Sequence, residues 1–195
     1  KNVKKTKKVF KSFQSDLKNF ELPMLDSYKK NYKFDFSTKT IKKFSKYKNI
    51  IIIGMGGSIL GTKSIYSFFK KKIKKNVHFL DNLDENDYLN FRKIKNLKNS
   101  CFIIVSKSGN TLETFVNLNV IFSKSLFKDK TIFVTEKKDN LIFNLANKLN
   151  AQIIEHKNYI GGRYSVLSEV GMFPAALMGL KISKFRDLNK FLSNK

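Results

Sequence analysis

The sequence predicts an α/β domain in three layers, a doubly wound parallel sheet of five strands with helices on both faces. Five short apolar runs alternate along the chain with segments of helical periodicity, which is the pattern of a buried parallel sheet. Two of these runs end in turns rich in glycine and hydroxyl residues, as strands do where such a sheet meets a ligand. The 195 residues are enough for one domain of this kind with its own core.

A helical arm is predicted to precede the sheet and to lie on the main domain. Val9, Phe10 and Phe13 recur at helical spacing, and Pro23 ends that pattern. A second short helix is expected at 38–47. No side chain in this arm points to a chemical function.

The remaining elements follow from the apolar runs and their flanking turns. The predicted strands are 49–54, 77–80, 101–105, 131–135 and 152–155. The predicted helices lie near 65–73, 84–97, 111–122, 140–149, 166–180 and 182–195. The expected division of the chain is an arm at 1–46, the main domain at 47–180, and the start of a connection to a second domain at 181–195.

The turn after the third strand is the first candidate site. Ser106, Ser108 and Thr111 supply hydroxyl groups there, and no Asp or Glu lies within the turn. A helix begins next, and its first N–H groups lack partners and carry a partial positive charge, which favours an anion. Leu112, Phe115, Val116 and Phe122 are expected near one apolar face of that helix. The alternative is that Ser108, Asn110 or Thr111 only caps the helix, and this pattern alone does not separate the two.

The glycine turn after the first strand is a second candidate. Its spacing fits the dinucleotide-binding pattern poorly, because Ile59 stands where the third glycine is expected. It also fails as a triphosphate-binding loop, because Thr62 comes before Lys63 and the extra helical residue turns the lysine about 100° away from the phosphates. A glycine turn with the hydroxyl of Ser58 at a helix start remains. Alternatively, Ser58 only caps that helix.

A third candidate is the GGRYS segment that precedes the last long apolar run. Arg163 is one of three arginines beside 36 lysines in a chain rich in AT-codon residues, which hints at a need for the guanidinium group. An ordinary surface arginine is the alternative. The helix that follows is expected to be buried and to be kinked or restarted near Pro174.

The net charge of +24 suggests a nucleic-acid or membrane partner, but we expect neither. The positive charge is almost entirely lysine and is spread along the chain, whereas bidentate phosphate and guanine recognition favours arginine. No apolar run approaches the length of a membrane span. Cys101 is the only cysteine, so no disulfide can form within the chain, which suits a reducing cytoplasm.

Three segments together resemble the phosphoglucose isomerase family. They are GMGGSILG (54–61), SKSGNTLET (106–114) and GGRYSVLSEVGMFPAAL (161–177). The first two alone would indicate only the wider sugar-isomerase (SIS) group, which includes regulators that sense phosphosugars. The third segment is far more specific.

The resemblance implies a flavodoxin-like SIS fold and the interconversion of glucose 6-phosphate and fructose 6-phosphate through an enediolate, with no metal or nucleotide cofactor. It also implies a homodimer at full length. The residues it implies for phosphate are Ser106, Lys107, Ser108 and Thr111, and those for the sugar are Gly57 and Ser58. It implies that Arg163, after Gly162, stabilises the enediolate and that Glu113 supports the site. Gly109 and Asn110 depart from many relatives and remove one hydroxyl from the phosphate site.

The same resemblance leaves part of the machinery unaccounted for. The family's base glutamate, its ring-opening histidine and a further lysine lie in a second sugar-isomerase domain and C-terminal segment, and nothing after Leu180 matches them. We therefore interpret the chain as the N-terminal part of such an isomerase, inactive or weak alone. The alternative is a stand-alone module that binds a phosphosugar.

Overall fold

A five-stranded, all-parallel sheet forms the centre of the computed structural model, which describes residues 2–19, 22–125 and 128–187. The strands are β1 Asn49–Ile53, β2 Asn76–Leu80, β3 Ser100–Val105, β4 Thr131–Thr135 and β5 Gln152–Glu155. Their order across the sheet is β2-β1-β3-β4-β5, the doubly wound order of flavodoxin-like proteins. The predicted fold class is therefore confirmed.

Every residue of the three central strands is buried, because helices cover both faces of the sheet. The seven α-helices of the described residues are α1 Asn2–Asn19, α2 Thr38–Ser45, α3 Leu60–Phe69, α4 Glu85–Arg92, α5 Leu112–Ser125, α6 Leu141–Lys148 and α7 Glu169–Leu177. Helices α2, α3 and α7 pack on one face, and α4, α5 and α6 pack on the other. The apolar side chains on the two faces of the sheet form the two halves of the core.

The N-terminal arm lies on the domain only in its second half. Phe36 and Phe44 pack into the core, as predicted. In contrast, side chains 2–13 of α1 are exposed, including Phe10 and Phe13. The helical spacing was sufficient to predict α1 but not what its apolar side packs against.

Helix α5 corrects the predicted orientation of its apolar residues. Leu112 is 70% exposed and Val116 is 40% exposed, whereas Leu118 and Ile121 are buried against the sheet. The helix begins at Leu112 and turns its Leu118 and Ile121 side towards the sheet. The predicted apolar face is therefore wrong for Leu112 and Val116, whereas Phe115 is half-buried and packs against the core. The side chain of Phe122 lies outside the described residues.

The segment 166–180, predicted as a helix kinked or restarted near Pro174, is instead divided before α7: a 3-10 turn, Gly162–Leu167, precedes the helix, and α7 continues through Pro174. The break lies at Ser168, whose hydroxyl accepts a hydrogen bond from the N–H of Val170 and caps α7. Pro174 lies inside α7 and has no N–H to donate to the Val170 carbonyl one turn earlier. The buried hydroxyl of Thr62 on α3 donates to that carbonyl at 3.0 Å. This bond joins the helix after the glycine turn to the helix after GGRYS.

The C-terminal segment is held by a buried arginine. The predicted helix 182–195 is a 3-10 turn at Ile182–Arg186, and positions 188–195 lie outside the described residues. Arg186 donates to the carbonyls of Ser27 and Leu167 at 2.9 and 2.8 Å and packs against the ring of Phe34 at 4.7 Å. The guanidinium therefore ties this end of the chain to the arm.

The bond between Thr62 and Val170 predicts a loss of stability in Thr62→Val. The valine has the same shape but leaves a buried carbonyl without this donor, which should cost about 1–3 kcal/mol in the free energy of unfolding by denaturant. Thr62→Ser, which keeps the hydroxyl, should be much milder. Adding Pro174→Ala to Thr62→Val should recover part of the loss, because alanine brings its own N–H; no recovery would contradict this role for Thr62.

Candidate functional site

Three turns meet at the carboxyl edge of the sheet. The glycine turn follows β1, the turn 106–111 follows β3, and the connection 136–140 follows β4. β1 and β3 are neighbours, yet the chain leaves β1 for α3 on one face and leaves β3 for α5 on the other. Such a switch point opens a crevice at the sheet edge, where ligands of this fold class bind.

The turn 106–111 is folded around the hydroxyl of Ser106. This side chain is buried, lies 3.0 Å from the hydroxyl of Thr111 and accepts the N–H of Gly109 at 3.2 Å. Ser108 is exposed, and its hydroxyl accepts the N–H of Asn110 at 3.3 Å. The structure thus brings together three of the four residues predicted to hold phosphate.

The same turn leaves backbone donors unused. Among the described residues, the N–H groups of Lys107, Ser108 and Thr111 donate to no protein atom. Helix α5 begins directly after them, so its first N–H groups lie at the same place. Free N–H groups beside hydroxyls at the positive end of a helix can bind a phosphate.

The side chain of Lys107, the fourth residue, is engaged elsewhere. Its ammonium donates to the carbonyl of Asn158 at 2.6 Å and lies 3.8 Å from the Glu136 carboxylate. Glu136 also forms an ion pair with Lys138. What Lys107 offers to a ligand in this arrangement is its backbone N–H.

Asn110 does cap a helix, but not the one considered from the sequence. Its side-chain oxygen accepts the N–H of Leu141 at 3.2 Å, so it caps α6. Thr111 pairs with Ser106 instead of capping α5 through its side chain. The side chain of Ser108 accepts the N–H of Asn110, which precedes α5, so none of the three residues caps α5 through a side-chain hydrogen bond among the described residues.

The glycine turn and GGRYS touch through their backbones. A Cβ on Gly57 would lie 2.5 Å from the carbonyl carbon of Gly162, closer than atoms can approach. The hydroxyl of Ser165 lies 2.7 Å from the Gly162 oxygen and 3.1 Å from the Gly57 oxygen, and so bridges them. Ser58 does not cap α3, whose N-cap residue is Ile59 and has no side-chain cap.

Arg163 directly follows Gly162 at this contact. Its side chain is exposed, and it forms no ion pair or hydrogen bond within the part of the chain that the structure describes. The guanidinium is therefore available to a ligand. Glu113 is half-buried and likewise has no hydrogen-bonding partner among the described residues, so its predicted support of the site stays a prediction.

Unlike Glu113, three further carboxylates near this edge are engaged. Glu136 is paired with lysine, and Glu155 lies 2.8 Å from the ammonium of Lys157. Glu169 is fully buried and accepts the Tyr32 hydroxyl at 2.8 Å. Burial is the main cause that raises the pKa of Glu169.

His156 lies beyond β5 and is also buried. Burial lowers its pKa and so favours the neutral ring, and its Nδ1 donates to the Lys157 carbonyl at 3.2 Å. Across the described ranges, no three His, Cys, Asp or Glu side chains lie close enough together to hold a metal ion. No helix in those ranges is both long and apolar enough to span a membrane.

The fold and this site define a sugar-isomerase domain, and comparison with known proteins gives its family. The family model described as "Phosphoglucose isomerase" matches residues 23–193. Glucose-6-phosphate isomerase of Methanocaldococcus jannaschii is 36% identical over 169 residues, which are 83% of this chain and 41% of that protein. The enzyme of the same name from Borreliella afzelii is 38% identical over 148 residues, 68% of this chain and 27% of that protein.

Solved structures agree. A glucose-6-phosphate isomerase from Chlamydia trachomatis superimposes with a TM-score of 0.65 at 25% identity, over 77% of this chain and 30% of that one. A hypothetical protein from Thermus thermophilus superimposes with a TM-score of 0.72 at 22% identity, over 91% of this chain and 42% of that one, and so supports the fold. The chain belongs to the phosphoglucose isomerase family and spans less than half the length of these relatives.

The contact at Gly57 predicts that Gly57→Ala disrupts the site. The added methyl must push the Gly162 backbone away, which should lower the free energy of unfolding by about 1–3 kcal/mol. Gly161→Ala is the matched control, because its Cβ would meet Tyr164 at an ordinary 3.5 Å. Equal thermal unfolding midpoints for the two variants would contradict the contact.

Proposed function

We propose that this chain is the N-terminal part of an isomerase that interconverts glucose 6-phosphate and fructose 6-phosphate. The observation that carries the proposal is the contact between Gly57 and Gly162, since it sets Arg163 beside the glycine turn of β1. The neighbouring strand β3 ends in the turn 106–111. One ligand can therefore reach both turns.

The phosphate binds in the turn 106–111. The free N–H groups of Lys107 and Ser108 donate to it, and the hydroxyls of Ser108 and Thr111 complete the set. The hydroxyl of Ser106 holds the turn in shape from inside. The sugar end of the ligand extends towards Gly57 and Ser58, the half-buried residues of the glycine turn.

Isomerisation moves a proton between C2 and C1 of the open-chain sugar. Removing the proton leaves an enediolate, and its negative charge develops on an oxygen. A guanidinium that faces that oxygen stabilises the charge as it forms. Arg163 has this role because it is exposed and unpaired among the described residues and follows the close contact at Gly162.

A base must also carry the proton. Glu136, Glu155 and Glu169 are each occupied by a lysine or by Tyr32, so none of them is free for that task. This observation favours a second candidate function, a module that binds a phosphosugar without turning it over. If the first candidate is right, the base is none of these three. Glu113 has no hydrogen-bonding partner among the described residues but is assigned a supporting role, so the proposal takes the base from outside the described residues.

The remaining expectations belong to the same proposal. The protein acts in the cytoplasm, works as a homodimer at full length and has no nucleic-acid partner. The proposed chemistry needs acid–base and electrostatic groups alone, so no metal or nucleotide takes part in it.

Replacing Arg163 with alanine tests the proposal in protein expressed from the complete reading frame. Isomerase turnover should fall by about 10²-fold or more, the scale of losing one oxyanion stabiliser. Arg92→Ala is the matched control, since Arg92 is exposed on α4 and stacks on Tyr88. Ser106→Ala with Ser108→Ala should mainly raise KM. Sugar-phosphate binding without turnover in the unaltered protein would favour the binding module, and unchanged turnover in Arg163→Ala would remove that residue from the mechanism.

A further inference from the structure

The connection between β4 and α6 lies directly behind the turn 106–111. The N–H of Glu136 donates to the Lys107 carbonyl at 3.2 Å, which extends the pairing of β3 and β4 past the ends of both strands. The N–H of Ile142, at the start of α6, donates to the Gly109 carbonyl at 3.1 Å. The turn is therefore docked on this connection at both ends.

Asn140 is the central side chain of the connection. It is 5% exposed, and its amide group donates to the carbonyls of Glu136 and Lys138, both at 3.1 Å. Its oxygen accepts the N–H of Phe143 at 2.8 Å and so caps α6. These three bonds fix the orientation of the side chain.

The amide of Asn140 packs against the backbone of Gly109. Gly109 has a φ of +70°, and a Cβ there would lie 1.7 Å from the Asn140 oxygen. Only glycine tolerates both the conformation and the contact. Gly109 therefore has a structural partner in Asn140.

The first N–H groups of α6 are consequently all used. Leu141 donates to the side chain of Asn110, Ile142 to the Gly109 carbonyl, and Phe143 to Asn140. The start of α6 is thus a platform for the turn 106–111 and not itself a place for an anion. Within the turn, Gly109 contacts the start of α6, and its own N–H donates to the hydroxyl of Ser106.

We propose that Asn140 is a positioning residue for the phosphate-binding turn, paired with Gly109. It holds the backbone of Gly109 in the position in which the free N–H groups of Lys107 and Ser108 can both donate to one phosphate. The inference rests on the proposed function, since it takes the turn 106–111 to be where phosphate binds. Asn140 touches no substrate in this scheme and acts only through the turn.

A simple helix cap is the competing explanation, and the two differ in what they change. Loss of a cap destabilises α6 and the protein by an amount typical of caps, with no effect on ligand affinity. Loss of a positioning residue weakens phosphate binding as well. Ser37→Ala is the matched control, because Ser37 caps α2 through the N–H of Thr40 and has no contact with the turn among the described residues.

The experiment measures glucose 6-phosphate and inorganic phosphate affinity by titration calorimetry, with thermal unfolding alongside. Asn140→Ala should weaken the binding of both by about tenfold, the scale of removing a partner that orients a ligating group. Ser37→Ala should lower the unfolding midpoint and leave affinity unchanged. If Asn140→Ala does not fold, Asn140→Ser replaces it. The serine hydroxyl can still accept the N–H of Phe143 and cap α6, but it is too short to donate to the carbonyl of Glu136. Asn140→Ser should therefore still weaken the binding of both ligands.

The variant Gly109→Ala provides an independent test of the same contact. Alone it should weaken phosphate binding, and combined with Asn140→Ala the loss should be smaller than the product of the two single losses, because both act on one contact. Amide exchange at Gly109 should become faster in Asn140→Ala and not in Ser37→Ala.

The outcomes separate this inference from the function on which it rests. Affinity within twofold of the unaltered protein in Asn140→Ala, with a lowered unfolding midpoint, would overturn the inference alone and leave a helix cap. An unaltered protein that binds neither ligand would overturn the proposed function, and the inference with it.

Discussion

The close approach of two backbones, at Gly57 and Gly162, is the constraint on which the site depends. A side chain at Gly57 would separate the turn after β1 from the segment before α7. Ser165 can bridge the two turns, and Thr62 can reach α7, only because those backbones touch. The two interactions reinforce one another, since each fixes the distance that the other requires. The position of Arg163 depends on this contact, because its side chain forms no hydrogen bond or ion pair with the described residues.

Charge plays a smaller part in the site than the composition suggests. The chain carries a net +24, and such an excess raises the local concentration of anions near the surface. It does not orient them. Lys107, within the turn 106–111, and Lys138, in the connection after β4, form ion pairs with Glu136, whereas backbone N–H groups of the turn are left free among the described residues. In the proposed function, the fixed N–H groups therefore select a phosphate by geometry, and the diffuse lysine charge only raises its local concentration.

The strands and the three turns could be predicted from the sequence because they depend on local patterns, apolar runs and glycine spacing. What failed depends on tertiary packing. Helical spacing does not say which side of α5 meets the sheet, so Leu112 was placed wrongly. It also does not say whether α1 is covered. Arg186 and Asn140 were missed because their partners are distant carbonyls or a glycine, which leave no mark in the sequence. The position of Asn140 just before a helix was the one available signal.

In the proposed reaction, ligand binding and proton transfer fall to different groups, because the carboxylates of the described residues are mostly paired. Holding a phosphate and stabilising an oxyanion both need donors, and the turns supply these from backbone N–H groups and from Arg163. Moving a proton needs a carboxylate with a free lone pair and a suitable pKa. Glu169 has the raised pKa but is enclosed with Tyr32, and Glu136 is near the turn but paired with lysine. Release of either would leave an unpaired partner behind, at a cost that grows with burial. A base that approaches the sugar from beyond the described residues, as the proposed function requires, would avoid that cost, and binding and proton transfer would then be separable.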